Sequence, residues 1–90
     1  MNQTKAVVSI IGKDHTGIMA AASQAAATAN ANILEVTQSI LDGYFVMIMI
    51  LDITESTQNI DELRATMREA LPDMQVHLMH EDIFNSMHRI

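Results

Sequence analysis

Between Val7 and Ile33 the sequence VVSIIGKDHTGIMAAASQAAATANANI sets out a strand, a short polar loop, a helix and the opening of a second strand. Val7, Val8, Ile10 and Ile11 form the nearly continuous apolar run expected of a strand buried within a sheet. The run is expected to stop at Gly12, because Lys13-Asp14-His15-Thr16-Gly17 has the polarity and glycine content of a tight loop. From Ile18 onward, alanine fills seven of the ten positions Ala20 to Ala29, favouring a helix that can lie close against a sheet. Such a loop sets exposed polar groups and a helix N-terminus at the mouth of a strand. Unpaired N–H groups and the helix dipole there favour an anion, such as the carboxylate of a small molecule. The segment offers a place to bind a ligand and no visible machinery for chemistry.

Asn30-Ala31-Asn32 reads as a turn, and a second strand starts over Ile33 to Leu41. Leu34, Val36 and Ile40 fall on one face of it and Glu35, Thr37 and Ser39 on the other, with Gln38 out of pattern, so one face belongs in a core. Asp42-Gly43 is a hairpin signal, because glycine tolerates the positive φ of a two-residue turn. The third strand, Tyr44 to Leu51, is apolar in both phases and needs cover on both faces. Asn59 is placed as a helix N-cap, with Glu62 three positions on completing a capping box. Ile60, Leu63, Met67 and Leu71 line one face of that helix, and Pro72 ends it. Met74 to His80 reads as the last strand, with Val76 and Leu78 inward. Ile83, Phe84, Met87 and Ile90 give a short amphipathic helix over residues 81–90.

The order β-α-β-β-α-β predicts an α+β, ferredoxin-like sandwich: a four-stranded antiparallel sheet with two helices on one face and a short C-terminal helix. The first and third strands should be central and the second an edge. Half of the third strand, with Val7, Ile11 and Met79, is then left needing a lid; the C-terminal segment can cover some of it, but an open edge and a residual apolar face remain. Both features point to a partner, most simply a homodimer or higher homo-oligomer.

Ninety residues make one small domain, residues 1–90. A net charge of −6 with five Lys and Arg argues against nucleic acid or an anionic membrane as partner, because phosphate binding needs clustered positive charge. Without cysteine, disulfides, thiolate catalysis and cysteine-ligated metal drop out. The polar start MNQTK suggests no leader, and no apolar run approaches the ~20 residues of a membrane span, so a cytoplasmic protein is expected. His77 and His80, three apart on a strand, point to opposite faces, so no metal and no cofactor is expected. No nucleophile elbow or phosphate-binding glycine loop occurs, and an enzyme is not expected.

Several residues carry two readings. Gly17 can be required for close helix packing or for a ligand. Asp14 and Thr16 can serve as helix caps, and Asn32 as a turn residue, or each can meet a ligand. Gln38 can bond across a dimer or touch a ligand. The eight methionines read chiefly as adaptable core filler.

The segment GKDHTGIMAA, followed one helix later by ANILEV, resembles the ACT domain. DGYFVMIM and HEDIFNSMHRI are similar to a narrower group, free-standing single-domain ACT proteins of bacteria and archaea, and the resemblance spans essentially the whole chain. It implies a small regulatory βαββαβ module that commonly binds amino acids at a dimer interface. One wall would be the loop Asp14, His15, Thr16, Gly17 and Ile18; the other would be Asn32 and Ile33 of the neighbouring chain. Some members have an amide at the position of Asp14 and proline at that of Thr16. An aspartate there accepts from an ammonium group and repels a carboxylate. The resulting expectation is a dimeric small-molecule sensor, acting in trans on a regulated enzyme. The other open reading is a protein-interaction module without a small-molecule ligand.

Overall fold

A computed structural model describes residues 3–87. The elements are β1 (Lys5–Lys13), α1 (Ile18–Thr28), β2 (Asn32–Leu41), β3 (Tyr44–Asp52), α2 (Ile60–Ala70), β4 (Gln75–His80) and α3 (Glu81–Met87). The sheet is antiparallel with order β2-β3-β1-β4, so the two most apolar strands are central, as their composition predicts. The architecture is the ferredoxin-like sandwich.

One face of the sheet holds the core. Ala6, Val8 and Ile10 of β1, Phe45, Met47, Met49 and Leu51 of β3, and Val76 and Leu78 of β4 meet the two longer helices. From α1 come Ile18, Ala22, Ala25 and Ala26; from α2 come Leu63 and Met67, with Leu71 just beyond it. Small alanine side chains let α1 approach the bulky β3 row without leaving a void. Val7 faces the opposite way and is buried outside this cluster, on the side where α3 packs against β1 and β4.

Local signals explain most boundaries. The Asn59 side chain accepts from the Glu62 N–H (2.8 Å) while Glu62 accepts from the Asn59 N–H (2.9 Å), the reciprocal capping box. Asp42 (φ 52°) and Gly43 (φ 82°) both take positive φ, which makes the hairpin a two-residue turn of the primed kind. At the end of α1 the Ala31 N–H reaches Ala26 O (2.9 Å) and the Asn30 N–H reaches Ala27 O (3.0 Å). With Asn30 at φ 56°, this is a Schellman closure.

Four expectations need correction. First, β1 does not stop at Gly12; Gly12 pairs with Phe45 and Lys13 with Tyr44. An added Cβ at Gly12 would lie 2.6 Å from Met74 Sδ, the far end of a flexible side chain that would have to move aside. Second, β2 has no face in this chain's core. Only Ile33 is half-buried, because the helix layer stops short of the edge. A bulge between Ile33 and Glu35 takes Leu34 out of the ladder; beyond it Val36, Gln38 and Ile40 share the helix-side face, opposite Met49, Met47 and Phe45. Gln38 is thus in phase with the apolar pair. Third, β4 begins at Gln75, with Met74 in the turn before it. Fourth, α3 follows β4 directly and leaves Ile83 exposed. His88 to Ile90 and the Met87 side chain, which the expected amphipathic face includes, lie outside the described residues.

Candidate functional site

The loop after β1 is held at both ends. The Asp14 N–H donates to Gly43 O (3.1 Å), tying the loop to the β2–β3 turn. At the other end the Gly17 carbonyl accepts from the Ala21 N–H (3.0 Å) and so opens α1. Gly17 sits at φ 91°, ψ 3°, and a Cβ there would meet nothing within 4 Å. The glycine is therefore required by its left-handed backbone and not by close packing. Neither Asp14 nor Thr16 caps the helix: no side chain bonds its N-terminus, and no acidic residue lies in the first turn. The first-turn amides and the positive end of the α1 dipole face outward.

His15 is engaged within the chain. Its Nδ1 lies 3.0 Å from Thr16 O and its Nε2 2.9 Å from Asp73 Oδ2, on the turn before β4. With 40 % and 62 % of the two side chains exposed, the His15–Asp73 pair contributes at most about 1 kcal/mol. Asp73 is a member of this cluster that the sequence did not suggest. It lies 58 positions from His15, and no spacing rule connects them.

The remaining residues divide in two ways. Asp14, His15, Thr16 and Gly17 are exposed, whereas the Ile18 side chain is buried in the core and can offer only its backbone N–H. Asn32 is exposed and Ile33 packs against the core edge. Asn32 pairs with Asp52, which is also level with Lys5, at the start of β1. The loop follows Lys13 at the far end of that strand. Eight residue steps separate the two ends, roughly 27 Å at strand rise. A single chain keeps its two groups of candidate residues apart.

Elsewhere, a groove of about 470 Å³ runs along the outer side of β4, lined by Arg68, Leu71, Pro72, Met74, Val76 and His77. None of the candidate residues lines it. Among the described residues no three His, Asp or Glu side chains converge as metal ligands, and no helix is long and apolar enough to cross a membrane.

The architecture and the loop define the class: a βαββαβ module with a glycine-opened helix beside its first strand. The chain belongs to the ACT domain family, whose profile matches residues 4–81. A UPF0237 protein of Listeria monocytogenes is 44 % identical over 88 residues, which cover 96 % of this chain and 99 % of that one. An ACT domain protein from Streptococcus pneumoniae superposes with a TM-score of 0.76 at 29 % identity, over 92 % of this chain and 96 % of the other. At 19 % identity the fold also matches part of a formyltetrahydrofolate deformylase from Pseudomonas syringae. That match has a TM-score of 0.79 and covers 89 % of this chain but 28 % of the deformylase.

Proposed function

We propose that this chain is a dimeric regulatory module of the cytoplasm that binds an amino acid or a related small carboxylate between subunits. Asp14, His15, Thr16, Gly17 and the Ile18 N–H of one subunit would form one wall, and Asn32 with Ile33 of the other subunit the second. The observation that carries this reading is the separation of the two groups at opposite ends of one sheet. Residues that cannot meet within a chain can meet between chains. The uncapped α1 N-terminus supports an anionic group on the ligand, and Asp14 an ammonium group. ACT domains commonly bind small molecules and oligomerise, and the deformylase match, covering 28 % of that chain, is consistent with a fold that serves beside other domains. A regulated enzyme would then be met in trans.

A thermal-shift screen against the twenty amino acids tests the reading. Ligand at about 100 times its dissociation constant adds about 2.7 kcal/mol, several degrees in a domain of this size. Asp14→Ala and Asn32→Ala should each abolish the shift. A flat screen favours the second reading, a docking module without a small molecule, for which the exposed Ile83 of α3 is the supporting observation.

A further inference from the structure

The outer edge of β4 offers hydrogen-bond donors without acceptors. Val76 and Leu78 stand opposite Ile10 and Val8 of β1, and their carbonyls turn outward to accept from Arg68 and Arg64. In an antiparallel pair a residue's N–H points to the same side as its C=O. The Val76 and Leu78 N–H groups therefore face outward too, where no acceptor meets them among the described residues. A strand from another chain would need both kinds of group. An anion needs donors alone.

The two arginines are not equivalent. Arg64 holds Leu78 O through Nε and Nη2, and its Nη1 is neutralised by Asp61 (2.8 Å). Arg68 gives its Nε to Val76 O (3.2 Å) and has no acidic partner among the described residues. In a chain of net charge −6, that leaves one guanidinium without a counter-charge and with both Nη groups to spare. Glu69 follows it on α2, but adjacent helix positions do not face each other.

Arg68 stands at the groove of about 470 Å³ along the outer side of β4. The floor is apolar: Leu71, Met74 and Val76 are buried from the side of the core. No acidic side chain lines the groove. Asp73, on the turn that carries Met74, is occupied by His15 Nε2 (2.9 Å).

We propose that this groove binds a small organic carboxylate with an apolar body and no ammonium group. Its carboxylate bridges the Arg68 Nη groups and the Val76 N–H, a charge-assisted arrangement that the planar guanidinium favours. The Nε contact to Val76 O already sets the guanidinium beside that N–H. The apolar body lies on the floor, and the His77 ring stands on the rim. An ammonium group would be set near Arg68 with no carboxylate to receive it. The groove therefore selects a different ligand from the interface site, where Asp14 accepts an ammonium group, and it does not depend on that site. Arg68, Pro72, Gln75 and His77 are solvent-exposed, so a dissociation constant on the order of 1 mM is expected.

Titration of the isotope-labelled chain with hydrocinnamate at low ionic strength, followed through backbone amide resonances, tests this. The Val76 amide should shift saturably. Hydrocinnamamide keeps the apolar body without the charge and should leave Val76 in place. Arg68→Gln, at an exposed position, should keep the rest of the spectrum and weaken binding at least about tenfold. Arg68→Lys, which keeps the charge but loses the fork, should fall between the two. A saturable shift at Ile18 without one at Val76 puts the carboxylate at the start of α1; that overturns the groove and leaves the interface reading standing. Equal responses to acid and amide, an Arg68→Gln titration matching the wild type, or no saturable shift at Val76 also overturn it.

Discussion

The two edges of the sheet are finished differently. Along β4, the Arg68 Nε donates to Val76 O (3.2 Å), and the Arg64 Nε and Nη2 donate to Leu78 O (3.2 and 2.8 Å). Two of the chain's five basic residues are thus spent on carbonyls of one edge strand, while Asp61 steadies Arg64 (2.8 Å). Along β2 no side chain covers the ladder among the described residues, and both faces are solvent-exposed from Leu34 onward. The β4 edge is closed by the chain itself and the β2 edge stays open to solvent. Net charge would not reveal this division. It follows from where α2 lies relative to the sheet.

The comparison breaks first, and by the largest amount, in the core. Leu78 is 2 % exposed, so Leu78→Ala should cost about 2–5 kcal/mol in urea unfolding. Val36→Ala, on the open edge, should change the stability of the dilute monomer by less than about 0.5 kcal/mol. Equal losses at the two positions under dilute conditions would mean that β2 is packed within its own chain.

A smaller effect is expected from the arginines. Arg64→Ala together with Arg68→Ala removes the donors from Val76 O and Leu78 O but leaves both carbonyls reachable by water. The cost should be about 1–2 kcal/mol. The double variant should also associate beyond the wild-type state in sedimentation velocity, because a second edge has been opened. A variant that loses stability but gains no larger species would show that the arginines brace α2 without guarding the strand.

Much of this contrast could not be read from the chain order. The capping box at Asn59 and Glu62, the Asp42-Gly43 turn and the doubly apolar β3 were legible because each is a local signal, decided within a few residues. That β2 is an edge followed from the topology. That its apolar side chains lie outside the core did not, because alternation reports a half-buried strand without saying which chain buries it. The bulge takes Leu34 out of the face that alternation assigned it with Val36 and Ile40. Arg64 and Arg68 read as polar positions on a helix surface; their role depends on β4 packing alongside, eight to fourteen residues later. Within the candidate site the loop was legible by composition. The reason for Gly17 was not, since only the backbone angle separates conformational need from packing.

The smallest expected effect concerns the end of the sheet that both edges share. Asp52 closes β3, level with Lys5 on β1 and Asn32 on β2. Its carboxyl is held below the ordinary value of 3.8, chiefly by hydrogen bonds from Thr54, whose N–H lies 2.9 Å away, with Gln3 and Lys5 adding to it. The folded state therefore binds fewer protons than the unfolded state between the lowered value and 3.8, and stability rises with pH across that window. Asp52 contributes fully above the unfolded value and loses its contribution as pH falls through the folded one. Urea midpoints of the wild type and Asp52→Asn should differ at pH 6 and converge as pH falls below 3.8. A midpoint difference that stays constant with pH would place the hydrogen bonds of Thr54 and Gln3 outside the chain's acid response.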